Sequence, residues 1–223
     1  LGTSLQSMGA VRYSTSILRA GGLSNYYPLG EASGATSALD YVGQTAASHS
    51  GATSGAEGLI GLATEYDGTA ARTDPTYDYA TVGPASVTID GWVRPTSITG
   101  GRAAIIARGD EAASTLNYRL AKLAGNGRLS LVVKLDATTY AYETTAAVLA
   151  ANAWNHVGAI IQGGQAPIVV VNGAQATLDV GTTIPAALLN AAPVDVQARI
   201  GASENTPANF FPGRIQQVSI AGV

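Results

Sequence analysis

The sequence predicts an all-β fold: a sandwich of antiparallel sheets behind a short N-terminal arm. Three observations carry this. Short stretches of period-two alternation recur from Asn25 to the C-terminus, Gly, Asn and Pro punctuate them, and amphipathic helical periodicity is almost absent. With 223 residues the chain has room for one large all-β domain or two small ones. Neither a linker nor a repeat is visible, so residues 23–223 read as one domain and residues 1–22 as the arm.

The elements follow in order. In the arm, "RYSTSILRAGG" places Tyr13, Ile17 and Leu18 at helical spacing and stops at Gly21-Gly22, which predicts a short helix. It reads either as an ordered arm lying on the sandwich or as a docking arm for a partner, with Tyr13, Ile17 and Leu18 as the docking residues. "YYPLGEASG" reads as a strand from Tyr26 to Leu29 running into a turn. Pro28 suits an edge position, Gly30 and Gly34 allow the turn, and Glu31 accepts hydrogen bonds from it. "SVTIDGWVRP" alternates Val87, Ile89, Gly91 and Val93 against Thr88, Asp90, Trp92 and Arg94, and Pro95 ends it. "RAAIIARG" is a short apolar strand. "YRLAKLAGNGRLSLVVKL" is a strand, a Gly-Asn-Gly turn and a strand, with Leu129, Leu131, Val133 and Leu135 on one face and Ser130 and Lys134 on the other. "TYAYETT" continues the meander. "WNHVGAIIQGGQAPIVVVNGAQATL" holds two strands and then Asn172-Gly173, a hairpin signal because both residues tolerate φ > 0. "TIPAALLNAAP" is a short helix or a packed loop, and "VQARIGA" and "GRIQQVSIAGV" close the set. The expected total is about eleven to thirteen strands.

Composition excludes several function classes. Charged residues make up 12 % and the net charge is −3, with two Lys and ten Arg scattered, so the basic stripe of a nucleic-acid binder is missing. Such low charge suits packing against other copies or a scaffold; it equally fits an Ala-rich composition. There is no Cys, hence no disulfide or thiolate metal site. No apolar run approaches the ~20 residues of a membrane span. No basic segment followed by an apolar core is visible at the N-terminus, so no secretory signal is expected in these residues. The chain begins at Leu1 rather than Met, which fits processing or a fragment.

Catalytic patterns are missing too. Retaining glycosidases need two carboxylates close together on one face. The nearest approach, Asp110-Glu111, is a pair of neighbours that point to opposite faces of a strand. His156, at the entry of a buried strand, reads as structural, and His49, in a Ser/Ala/Gly stretch, as solvated. No Gly-x-Ser-x-Gly elbow, zinc cluster or phosphate loop is present. No enzyme is expected. Calcium is the one cofactor worth weighing, with Glu31, Asp40, Asp67, Asp74 and Asp78 as candidate oxygen ligands and ordinary turn chemistry as the competing reading. For a sugar, which packs its C–H faces on aromatic rings, the candidates are Tyr77, Tyr79, Tyr140, Tyr142 and the loop Asn209-Phe210-Phe211. Trp92 and Trp154 read as core or near-core packing residues.

These pieces fall in a familiar order. "YYPLGEASGATSALDYVG", "TEYDGTAA", "SVTIDGWVRPTS", "WNHVGAII", "IVVVNGAQ", "RIGA" and "FFPGRIQQVSI" together resemble the laminin-G-like, concanavalin A-like domains of bacterial and phage proteins, from about Tyr26 to Ile220. The resemblance implies a jelly-roll β-sandwich of two antiparallel sheets, binding of glycans or proteins, no catalytic residues, and often calcium. Two departures bear on the calcium. The family's Asp-x-Ser-Gly-Asn-Gly stretch is here "DYVGQTAASHSG", which keeps Asp40 but not its polar neighbours. The closing Gly-x-Ile-Asp-Glu-Val is here Gly213 to Val218, with Gln216 and Gln217 in place of both carboxylates. "YSTSILRAGGLSNYYPLGEASG", which runs from the arm into the first strand and turn, resembles a recurrent opening in tailed-phage virion proteins. That resemblance implies a non-catalytic virion structural protein of a bacteriophage: a capsid decoration, head fibre or tail component. Other virion proteins, further copies of itself and a host surface glycan would be its partners, without nucleic acid or membrane insertion. The alternative is a carbohydrate-binding module of a phage or secreted bacterial protein, in an extracellular setting.

Overall fold

The computed structural model of the chain describes residues 22–75, 86–109, 116–135, 138–184, 198–203 and 209–222. The described residues form sixteen strands and no helix, and every strand pairing is antiparallel. In the first sheet the order is β14 (Ala174–Gln175), β13 (Ile168–Val171), β12 (Asn155–Gln162), β7 (Ser86–Pro95), β16 (Pro212–Gly222), β5 (Leu62–Asp67), β4 (Thr53–Glu57), with β1 (Leu23–Tyr27) also paired to β16. In the second it is β11 (Thr138–Glu143), β10 (Leu129–Leu135), β9 (Tyr118–Lys122), β8 (Ala103–Arg108), β15 (Ala198–Ile200), β6 (Arg72–Pro75), β3 (Ala46–Ser50), β2 (Ser37–Leu39).

The core lies between the sheets, where period two puts one set of side chains from each. Ile89 and Val93 of β7, Val157, Ala159 and Ile161 of β12, and Ile215 of β16 meet Ile105, Leu120, Leu129, Leu131 and Val133. Burial of each large aliphatic side chain is worth about 1.5–3 kcal/mol, so the inner faces specify the register as well as stabilise it. The turns follow their residues. Asn172 (φ 50°) and Gly173 (φ 81°) link β13 to β14 as the sequence predicts.

The "YYPLGEASG" stretch differs from expectation in extent. β1 ends at Tyr27, not Leu29, because the long closing strand β16 changes partner there. Pro212 to Ile215 pair with β5, a bulge falls between Gln216 and Ser219, and Val218 to Ala221 pair with β1. The Gln217 amide donates to the Pro28 carbonyl at 2.9 Å. Leu29 then turns the chain with φ 55° while its side chain is fully buried.

The extra strands, β2, β3, β4 and β14, are five residues or fewer and made of Ser, Ala, Thr, Gly, Gln and their like, which is why no apolar alternation announced them. His49 is among the corrections: it is a half-buried residue of β3, not a solvated loop residue. The arm with Tyr13, Ile17 and Leu18, and the stretch from Pro185 onward in "TIPAALLNAAP", lie outside the described residues.

The two sheets differ on their outward faces. β8 and β9 are buried at every position, and in β10 Ser130 and Val132 are as buried as Leu129 and Leu131. β7 and β12 instead alternate buried with half-buried or exposed residues. Among the described residues, the more open central face is therefore the outward face of the first sheet.

Candidate functional site

β7 builds this open face. Its inward residues Ile89 and Val93 belong to the core, so Thr88, Asp90, Trp92 and Arg94 point away from it. Strand register then fixes their neighbours. Trp92 stands between His156 of β12 and Gln216 of β16, Asp90 between Gly158 and Ser219, and Arg94 beside Arg214, which in turn faces Glu65 of β5.

Trp92 is half-buried, and its ring lies 5.1 Å from the His156 ring at a 55° tilt. On one side of this pair runs an apolar groove of about 320 Å³, lined by Thr88, Asp90, His156, Gly158, Ile160 and Val170 among others. Gly158 forms part of its floor: a Cβ there would lie 3.2 Å from the Asp90 Cβ and 3.3 Å from the Ile89 carbonyl oxygen. On the other side is a small polar pocket of about 110 Å³ lined by Glu65, Arg94, Thr96, Asn152 and Arg214. An aromatic platform flanked by an apolar trough and a charged pocket suits a ligand with both C–H faces and polar edges.

Asp90 is held at the middle of this face. The Ser219 hydroxyl donates to its Oδ2, and His156 Nε2 lies 3.4 Å from its Oδ1. The order is Ser219, Asp90, His156, so the hydroxyl meets a carboxylate and not the imidazole that would have to activate it as a nucleophile. Arg214 Nε donates to Glu65 Oε2 at 3.2 Å and its Nη1 to the Glu57 carbonyl at 3.0 Å. Arg94 Nε donates to the Asn152 carbonyl at 3.0 Å.

The residues singled out in the sequence fall elsewhere. Tyr140 and Tyr142 stand opposite Val133 and Leu131, on the inward face of β11. Tyr142 is buried, donates to the Thr182 carbonyl at 2.8 Å, and burial raises its phenol pKa; Tyr140 is half-buried against the core. Phe211 is fully buried in the core. These three were expected as a sugar platform, and the correction has one cause: alternation and core packing turn their rings inward. Phe210 is half-buried, and Asn209 (φ 50°) donates to Ser203 Oγ at 3.0 Å while its carbonyl accepts from Ala104. Trp92, read as a packing residue, is half-buried on the outward side of β7, where the β7 alternation already placed it; Tyr41, at 49% exposure, is a more open ring. Tyr77, Tyr79, Asp78, Asp110 and Glu111 lie outside the described residues.

The described calcium candidates each have their own hydrogen-bond set. Asp40 is fully buried; its Oδ1 accepts from the Tyr26 and Val42 amides at 2.9 Å each, and its Oδ2 from the Asn25 amide at 2.5 Å. Asp67 caps its turn, accepting from the backbone of Thr69, Ala70 and Ala71, and those bonds hold its pKa far below the usual range. Asp74 bridges Arg72 (2.9 Å) and Arg199 (3.1 Å). Glu31 Oε1 accepts from the Leu39 amide at 3.3 Å, and burial raises its pKa. A carboxylate that already carries three N–H donors, as Asp40 and Asp67 do, is a poor fit for a hard cation. Among the described residues no three His, Asp or Glu side chains converge.

A two-sheet antiparallel sandwich with this strand order is a jelly-roll β-sandwich. The family model Laminin_G_3, described as concanavalin A-like lectin/glucanases superfamily, matches residues 67–222, and the chain belongs to that family. Solved structures show the same fold. Domain 4 of AbnA, an extracellular arabinanase from Geobacillus stearothermophilus in complex with arabinotriose, aligns with TM-score 0.62 and 19% identity over 90% of this chain and 92% of that one. The CBM40 of the Ruminococcus gnavus IT-sialidase, bound to α2,3 sialyllactose, aligns with TM-score 0.52 and 15% identity over 64% of this chain and 78% of that one. The binding domain of botulinum neurotoxin serotype C1 aligns with TM-score 0.62 and 11% identity over 90% of this chain and 48% of that one. No curated protein matches the chain by sequence.

Proposed function

We propose that this domain is a non-catalytic carbohydrate-binding module that holds a glycan on the outward face of its first sheet. The observation that carries the reading is Trp92, half-buried against His156 at 5.1 Å on the open face, between the apolar groove and the Arg94–Arg214–Glu65 pocket. A Trp ring is a flat apolar surface on which a sugar's C–H face packs, and in this reading Asp90, His156 and Arg94 supply polar groups around it. The complexes of AbnA domain 4 with arabinotriose and of CBM40 with sialyllactose support it as likenesses of fold, at 19% and 15% identity. The order Ser219, Asp90, His156 supports a binding role over hydrolysis. The setting we propose is extracellular.

A glycan array followed by calorimetry on the best hits tests this. The protein retains at least one glycan class, and Trp92→Ala weakens that binding about tenfold or more, in line with the ~1–3 kcal/mol of an aromatic stacking contact, with little change in melting temperature. Array-wide silence, or hits indifferent to Trp92→Ala, sinks the proposal.

Display on a phage particle is a second reading, carried by the low charge and by the resemblance of residues 13–34. A virion component would present the same lectin-like face to a host glycan while the arm docks. Light scattering with and without residues 1–22 separates the settings: an arm-dependent oligomer supports the particle role, and an arm-indifferent monomer supports a free module.

A further inference from the structure

We infer that the glycan held on this face carries a carboxylate, as a uronic or a sialic acid does, and that Arg94 with Arg214 receives it. The inference rests on the carbohydrate-binding reading above and narrows its ligand.

The argument starts from register. Arg94 and Arg214 are directly opposite each other on β7 and β16. Like charges in that position repel unless something neutralises them. Among the described residues one carboxylate, Glu65, serves the pair, and it lies on Arg214, 3.2 Å from Nε. Arg94 is aimed by its Nε bond to the Asn152 carbonyl, and its Nη atoms make no hydrogen bond among the described residues. The pocket these groups line thus holds two positive charges and one negative.

Its chemistry selects the ligand. The pocket, lined by Glu65, Arg94, Thr96, Asn152 and Arg214, has room for a carboxylate at the Arg94 fork. The sugar ring lies on Trp92, two residues along the same strand and so about 6.6 Å away. The Nη edge of Arg94 is a planar fork that matches a carboxylate, and the Thr96 hydroxyl, which donates to the Pro212 carbonyl at 3.2 Å, keeps lone pairs for bridging water. A neutral sugar in the same pose leaves the excess charge uncompensated.

Two matched pairs of probes test this by calorimetry at low salt: trigalacturonate against galactotriose, and 3′-sialyllactose against lactose. At least one acidic probe binds about tenfold or more tighter than its neutral partner, the gain expected of one charge-assisted contact, and the preference shrinks with added salt. Which pair shows it distinguishes a uronic from a sialic acid. Arg94→Gln abolishes the preference, Arg94→Lys keeps a part of it, and Lys134→Gln, which removes a positive charge from the other sheet, leaves it intact. Equal binding of acidic and neutral partners, a preference that survives Arg94→Gln, or no binding of either acidic probe overturns the inference. If galactotriose or lactose still binds in a Trp92-dependent way, the carbohydrate-binding reading survives that failure; if Trp92→Ala changes nothing for any probe, both fall.

Discussion

Asp40 shows how much one side chain can carry at the residue scale. It is fully buried where β1 passes the turn after β2, and it satisfies two backbone amides and the Asn25 side chain at once. Gly43 is tied to it: a Cβ there would lie 2.5 Å from Asp40 Oδ2. Asp40→Ala strands three donors, two buried and the Val42 amide partly so, at about 1–3 kcal/mol for each buried one, and the expected loss is about 3 kcal/mol or more in urea unfolding. A loss under about 1 kcal/mol would mean that water replaces the carboxylate freely. The same saturation bears on calcium. With its lone pairs taken by N–H donors, the carboxylate has little to offer an ion, so neither added calcium nor EDTA shifts the melting temperature. A clear shift upward with calcium would return Asp40 to the list of metal ligands.

β16 makes the corresponding point for elements. It pairs with three strands by switching partner at a bulge, and Gln216, the last paired residue before the bulge, pins the loop between β4 and β5. Its Oε1 accepts from the Leu59 and Ile60 amides at 3.0 and 3.4 Å, and its Nε2 donates to the Leu62 carbonyl at 2.7 Å and to the Ile60 carbonyl. A carboxylate cannot donate to two carbonyls. Gln216→Glu is expected to cost about 2 kcal/mol, with Gln216→Met, which removes all four bonds, costing more. Unchanged denaturation midpoints for both variants would remove this role. This explains at Gln216 a departure that the sequence showed but could not interpret: the position needs an amide. β7, β10 and β12 were legible for the opposite reason, since one buried face imposes period two on their residues. β2, β3 and β4 were not legible, because Ser, Ala and Gly pack at a sheet edge without leaving a pattern. The site was half legible. Alternation put Trp92 outward beside Asp90 and Arg94, but aromatic composition pulled attention to Tyr142 and Phe211, whose burial only the packed sheets reveal. Nothing in the local sequence brings Arg94 beside Arg214, since that pairing joins positions far apart in the chain.

At the scale of the whole molecule, the two sheets are joined by more than apolar contact. Tyr66 of β5, in the first sheet, meets Thr73 of β6, in the second, at 2.8 Å, and Thr73 meets His49 Nδ1 of β3 at 2.8 Å. Burial holds the Tyr66 phenol neutral far beyond its ordinary range and lowers the His49 pKa from 6.5. The folded state therefore binds the His49 proton less readily than the unfolded chain does. Stability then rises with pH across the window from the folded pKa up to 6.5, and it is lost as pH falls through that window. Two carboxylates bound the effect. Glu31 has its pKa raised from 4.5, so its contribution is full at low pH and fades as pH rises past 4.5; it opposes His49 in part of the window. Asp67, lowered from 3.8, loses its contribution only below that value. Urea unfolding at about pH 7.5 and about pH 5 should therefore show the native protein weaker at the lower pH, and His49→Gln, which cannot take up the proton, should narrow that difference. Glu31→Gln should widen it, because the opposing term is gone. An acid sensitivity identical in native and His49→Gln proteins would place the titrating group elsewhere and leave the Tyr66–Thr73–His49 link as a pH-independent tie between the sheets.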